Sequence, residues 1–191
     1  MCIRDSLGPE QSGHIQMVGY QMYCELLANA VRELKQEKVE PLATATIDLG
    51  TPAYIPKNYI PIDRLRMDVY RKIAVARTAA DLAQIESELA DVYGPLPNQV
   101  RLLLELGALR LAAAKYDIRS ITISKPESTK DMDLLFTFKT DQTKEVLKLF
   151  SATRGTVRLA NPKTLYLRLP HHYFELGTLI TVLRKILIGN R

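Results

Sequence analysis

Apolar residues recur at steps of three and four through Ile62, Leu65, Val69, Ile73 and Ala76, the stripe of an amphipathic helix expected from Asp63 to about Arg77. The period returns in Leu82, Ile85, Leu89 and Val92. This second helix is expected from Ala80 to Tyr93, where Gly94-Pro95 supplies a C-cap glycine and a residue that cannot continue the turn. A third helix opens after Pro97 and runs to about Lys115. Leu102, Leu103, Leu104, Leu106, Ala108, Leu109, Leu111, Ala112 and Ala113 leave it apolar nearly all round, so it should be covered on more than one side. These three helices are read as the core. Upstream, Ile15, Val18, Met22, Leu26, Leu27, Ala30, Val31 and Leu34 mark a long helix from about His14 to Gln36.

Period two takes over elsewhere. Ala43 to Leu49 alternates as a half-buried strand, and Pro52, Pro56 and Pro61 then forbid a helix and fit an extended segment at a sheet edge. Arg119 to Ser124 and Asp133 to Lys139 read as one β-hairpin. Thr156 to Leu159 and Thr164 to Leu169 read as a second, joined across Asn161-Pro162-Lys163. Between the hairpins Asp141 can cap a helix ending near Phe150, and Tyr173 to Leu187 forms a closing helix. The fold class is therefore α+β: a long N-terminal helix, a three-helix core and small antiparallel β-hairpins packed with two further helices.

Composition changes this picture little. With 191 residues, 47% hydrophobic and 25% charged, the chain reads as globular. No run approaches the roughly 18 apolar residues of a membrane span, and the charged start leads into no signal-peptide core, so no membrane association is expected. Two cysteines, Cys2 and Cys24, provide no disulfide framework, and a reducing cytosol is the expected location.

Charge is more informative. Residues 118–191 carry 13 basic and 6 acidic side chains, net +7. Arg158, Lys163 and Arg168 on the second hairpin are candidate phosphate contacts, against the plainer reading of a solvated surface. From Thr78 to Val100 the sign reverses: Asp81, Glu86, Glu88 and Asp91 stand with no Lys or Arg. At about 100° per residue Asp81, Gln84, Glu88 and Asp91 share one quarter of the helix, a face that gains from a basic partner. In the first helix Asp68 lies four residues from both Arg64 and Lys72 and can pair internally.

Catalytic and metal chemistry find no pattern. Gly8 and Gly13 have the spacing of a phosphate loop, but His14-Ile15 follows where Lys and then Ser or Thr are needed. His14 is far from His171-His172, and adjacent histidines on an extended segment point apart, so no metal is expected. No nucleophile sits in a GxSxG or comparable motif, and Cys24 reads as packed. Tyr54, Tyr59, Tyr70 and Tyr93 read as core or edge residues before a base-stacking platform.

Leu7-Gly8-Pro9-Glu10-Gln11-Ser12-Gly13-His14-Ile15, followed by Val18-Gly19-Tyr20 and Tyr23-Cys24-Glu25-Leu26-Leu27, resembles the end of the motor region in the transcription-repair coupling factor family. There the segment closes a translocation motif shared with the RecG helicases. The resemblance gives Gln11, between Gly8 and Gly13, the role of coupling ATP hydrolysis to movement on duplex DNA. Met1 to Ser6 lacks the family's preceding Ile-Arg-Gly-x-Gly run, so the chain is expected to start partway through the motif, without a motor. ATP and magnesium would belong to that missing motor, and no cofactor or catalysis is expected here. Ile55-Pro56, Tyr59-Ile60, Arg64-Leu65 and Tyr70-Arg71-Lys72-Ile73-Ala74 resemble the start of the family's carboxy-terminal domain.

Glu88-Leu89-x-Asp91-x-Tyr93-Gly94-x-Leu96-Pro97 is similar to the family's E-L-x-D-x-F-G-x-L-P signature, with Tyr93 where Phe is usual. The resemblance implies that Glu88 and Asp91 face arginines of a UvrB-like module in the same full-length protein, holding it closed and hiding the surface that recruits UvrA. On this reading residues 1–40 are the motif's remnant and connecting helix, and residues 41–191 are the regulatory domain. In a bacterial cytoplasm the whole protein would push on stalled RNA polymerase from upstream DNA and bring in nucleotide-excision repair. The alternative is a nucleic-acid-binding module built on the basic last third.

Overall fold

The computed structural model describes residues 45–50, 53–125, 132–141, 148–151, 153 and 155–189. The expected long helix from His14 to Gln36 lies outside them. The three helical periods are found close to where they were expected: α1 at Asp63–Val75, α2 at Ala79–Tyr93 and α3 at Asn98–Ala114. A capping box starts α2. Thr78 Oγ1 accepts the Asp81 N–H at 3.1 Å while the Asp81 carboxylate accepts the Thr78 N–H at 2.9 Å. Gly94 ends it with φ of +82°, a conformation that a side chain would strain.

The buried side of α1 differs from the expected stripe. Arg66, Val69, Tyr70 and Ile73 are buried, while Ile62 and Leu65 are exposed. Arginine can occupy the inner face because its guanidinium is satisfied there: it donates to the Ile60 carbonyl at 2.8 Å, to the Pro61 carbonyl at 3.2 Å and to the Asp63 carboxylate. The proline-rich stretch is not a sheet edge. Tyr59 and Ile60 N–H groups close a turn on the Pro56 carbonyl, and the Ile55 N–H donates to the Tyr70 hydroxyl at 2.7 Å. Ala53, Ile55 and Ile60 are buried, so these residues belong to the helical core. In α3, Val100, Leu103, Leu104, Leu106, Leu109, Ala112 and Ala113 are buried, on more than one side as its sequence requires.

The strands are β1 at Thr46–Asp48, β2 at Ile118–Ser124, β3 at Asp133–Phe138, β4 at Thr156–Asn161 and β5 at Thr164–Arg168. β2 pairs antiparallel with β3 and β4 with β5, and all five strands form one sheet in the order β1-β2-β3-β5-β4. β3 pairs with β5, joining the hairpins, and β1 runs parallel to β2, with Thr46 opposite Ser120. Alternation sorts the two faces. Ile121, Phe136 and Leu165 form one fully buried row, with Leu134 and Leu167 beside them. Thr122, Leu135, Tyr166 and Arg158 form a row on the opposite face. Gly155, just before β4, fits where a Cβ would stand 2.8 Å from the Arg168 carbonyl oxygen.

Of the helix expected between the hairpins, residues 148–150 are described and helical, and the Phe150 ring meets Phe136 edge-on at 4.8 Å between centroids. The closing segment is not one helix from Tyr173. A 3-10 turn at His171–Phe174 comes first, Glu175 is extended, and α4 follows at Leu176–Leu187. Its Leu179, Ile180, Leu183, Ile186 and Leu187 are buried.

Two compact units result. One holds the described residues of Pro52–Leu104, with α1, α2 and the start of α3. The other combines those of Pro41–Thr51 and Glu105–Arg191, with the rest of α3, the sheet and α4. No helix among the described residues is long and apolar enough to cross a membrane.

Candidate functional site

The four α2 residues singled out in the sequence have three different environments. Asp81 is committed to the helix start, where its carboxylate accepts the backbone N–H groups of Arg77 at 2.8 Å and Thr78 at 2.9 Å. Those bonds, Arg77's first, hold its carboxyl below the usual aspartate range. Glu88 is paired across to α1: its Oε2 accepts from Lys72 Nζ at 2.7 Å, and its Oε1 accepts from Gln84 Nε2 at 3.1 Å. The Lys72 bond, then the Gln84 bond, lowers the Glu88 pKa. Asp91 is exposed and has no ion-pair partner among the described residues.

The acidic face is therefore less bare than the count of charges on α2 alone implies. Lys72 comes from the neighbouring helix, sixteen residues away in sequence, and α1 is balanced differently from expectation. Asp68 pairs with Arg71 at 2.8 Å, which leaves Lys72 for Glu88. Sequence reasoning missed Lys72 because it assigned that lysine to its own helix. It also placed Val92 in the buried stripe, whereas Val92 is 69% exposed, beside Asp91 and one turn after Glu88. Its place after Leu89, on the last turn of α2, takes it past the end of the core contact.

The remaining positions of the Glu88-to-Pro97 signature have structural work. Leu89 and Leu96 are buried. Tyr93 lies 5.7 Å from Tyr59, whose hydroxyl donates towards the Leu89 and Gly94 carbonyls at 3.1 Å each, closing the end of α2. Burial, then the neighbouring Tyr93, raises the Tyr59 pKa. The Pro97 carbonyl accepts the Val100 and Arg101 N–H groups and starts α3. Of the signature's two acids, Asp91 is exposed and Glu88 is half-buried, with its carboxylate at the surface.

The basic hairpin is organised otherwise. Arg168 forks onto Asp133, Nε to Oδ1 at 2.9 Å and Nη2 to Oδ2 at 3.1 Å, and Asp133 is 2% exposed. Arg158 lies over the Tyr166 ring, 4.9 Å from its centroid. Both arginines lie on the same sheet face, while Lys163 sits exposed in the β4–β5 turn, where its N–H caps onto the Asn161 side chain at 2.9 Å. The three do not form a set of free cations. Among the described residues no three metal-ligating side chains converge. Gly8, Gln11 and Gly13 lie outside the described residues.

A helical unit with an exposed acidic helix face, followed by a mixed five-stranded sheet, defines an α+β domain whose most informative site is a charged surface. The family model described as the TRCF domain matches residues 49–149, more than half of the chain. The chain belongs to this family. The transcription-repair-coupling factor of Escherichia coli K12 is 38% identical over 120 residues, 60% of this chain and 10% of that protein. That of Buchnera aphidicola from Acyrthosiphon pisum is 28% identical over 195 aligned residues, 98% of this chain and 24% of that protein. A crystal structure of the C-terminal domain of transcription-repair coupling factor superposes with a TM-score of 0.57 at 19% identity, covering 78% of this chain and 98% of that one. The chain thus spans about a tenth to a quarter of the length of these relatives and shares the fold of that C-terminal domain.

Proposed function

We propose that this chain is the regulatory end of a transcription-repair coupling DNA translocase, acting by contact and without catalysis of its own. Its acidic surface residues, the half-buried Glu88 and the exposed Asp91, hold a UvrB-like module of the same full-length protein through that module's arginines. In that closed state the surface that recruits UvrA is covered. Contact with DNA and stalled RNA polymerase, and the use of ATP and magnesium, then belong to the motor elsewhere in the full-length protein, in the bacterial cytoplasm.

One observation carries this reading. The signature's leucines, tyrosine, glycine and proline support the end of α2 and the start of α3, whereas Asp91 is exposed with no ion-pair partner among the described residues and Glu88, half-buried, makes only a surface pair with Lys72 and a bond from Gln84. An exposed valine beside two carboxylates also has the mixed character of a protein-binding surface. The rival reading, nucleic-acid binding through Arg158, Lys163 and Arg168, has less support because Arg168 is already forked onto a buried carboxylate.

The test is Glu88→Lys combined with Asp91→Lys. The double variant should keep the circular dichroism of the parent, with at most a slightly lower melting temperature from the lost Lys72–Glu88 pair, while losing binding to an isolated UvrB-like module. Unchanged affinity would overturn the proposal.

A further inference from the structure

The signature treats its two acids alike, but the structure does not. Each oxygen of Glu88 already accepts a hydrogen bond from this chain, from Lys72 at 2.7 Å and from Gln84 at 3.1 Å. A guanidinium engages a carboxylate best as a fork, with two parallel N–H groups on the two oxygens. An arriving arginine must therefore share or displace the donors that are in place. Asp91 asks for no such exchange, since no cation among the described residues is paired with it.

From this arrangement we infer that Lys72 is an internal competitor for Glu88, a built-in cation that occupies part of the partner-binding face and limits how tightly the partner is held. The inference rests on the reading of α2 as that face. Lys72 is placed to be displaced: its side chain is 57% exposed and that of Glu88 43%, so the pair stands in water, and such pairs add little to stability. Exchange of one cation for another across an exposed carboxylate is correspondingly easy. Lys72 also repels any basic surface that approaches, so it acts against the partner both before and after contact. Arg71, one residue earlier, is held by Asp68 at 2.8 Å and does not take its place. The device suits a contact that has to open, because a closed state held by unopposed carboxylates would be harder to release.

Lys72→Gln removes the competing charge and keeps a polar, similarly sized side chain. Binding of the 191-residue chain to an isolated arginine-bearing UvrB-like module, measured by calorimetry at about 0.1 M salt, should tighten about three- to tenfold. Lys72→Arg, which retains a competitor, should stay within about twofold of the parent. In a Glu88→Gln background Lys72→Gln should lose most of its effect, because a competitor without its target has nothing to block. Tightening that persists in full in that background would overturn competition, as would weaker or unchanged binding by Lys72→Gln. If those results arise while Glu88→Lys/Asp91→Lys still abolishes binding, the partner face stands and Lys72 has no regulatory part in it. If the double variant binds normally, the face itself is wrong.

Discussion

In the sheet Arg168 is engaged by a buried carboxylate and Arg158 lies on an aromatic ring, whereas α2 carries negative charge of which part has no ion-pair partner among the described residues. Residues 118–191 have a net charge of +7, yet Arg168 is locked to the buried Asp133 and Arg158 lies on Tyr166. No lysine or arginine falls between Thr78 and Val100. There Asp81 is consumed as a cap, Glu88 is half-occupied by Lys72, and Asp91 stays open. The contrast teaches that net charge is a poor guide to a binding surface. Pairing decides what is left over for a partner.

Three experiments would break or sharpen that contrast. The largest effect is expected at Arg168. Replacement by Met leaves the buried Asp133 carboxylate without its fork. Because the arginine is nearly half exposed and water can enter, the cost should be about 2 kcal/mol, below the roughly 3–5 kcal/mol of a fully buried pair. Urea denaturation measures it, and a loss below about 0.5 kcal/mol would show that this charge is not structural after all.

A smaller effect is expected from acid. Asp81 and Glu88 have lowered pKa values, so the unfolded chain takes up protons on these groups at higher pH than the folded one. Their contribution is complete above the ordinary carboxylate range and is lost as pH falls through the lowered folded values. The melting temperature should therefore drop below about pH 4, and Asp81→Ala should flatten that slope. An equally steep slope in the variant would place the acid sensitivity elsewhere.

The smallest effect belongs to Arg158→Gln with Lys163→Gln. Both side chains are exposed, and stability should change by no more than about 0.5 kcal/mol. The pair also tests the rival function. If the parent binds duplex DNA with a steep salt dependence that this variant loses, the hairpin is a nucleic-acid surface and the charge there is not spent.

Much of the fold was legible in the sequence wherever the signal is local. The periods of α1, α2 and α3, the Gly94 stop of α2 and the antiparallel pairing of neighbouring strands are written in neighbouring residues. What escaped depends on partners distant along the chain. Nothing near Thr46 announces a parallel neighbour at Ser120, and nothing near Asp133 announces Arg168 opposite it. Arg66 escaped for a related reason: a buried arginine is allowed only because carbonyls of the preceding turn meet it. The candidate site was legible in its residue types but not in their occupancy, because a helix-face count omits cations supplied by another helix. Lys72 is that omission.

Along the helix from Asn98 to Ala114, Val100, Leu103 and Leu104 are buried in the stretch that belongs to the helical unit, and Leu106, Leu109, Ala112 and Ala113 are buried in the stretch that belongs to the unit with the sheet. A helix turns about 100° and advances about 1.5 Å per residue, so one residue inserted or deleted at its middle would swing every later side chain out of its seat. No adjustment of a loop could undo that swing. Insertions and deletions in relatives should therefore gather in the connections between strands, while the length of this helix is handed down unaltered.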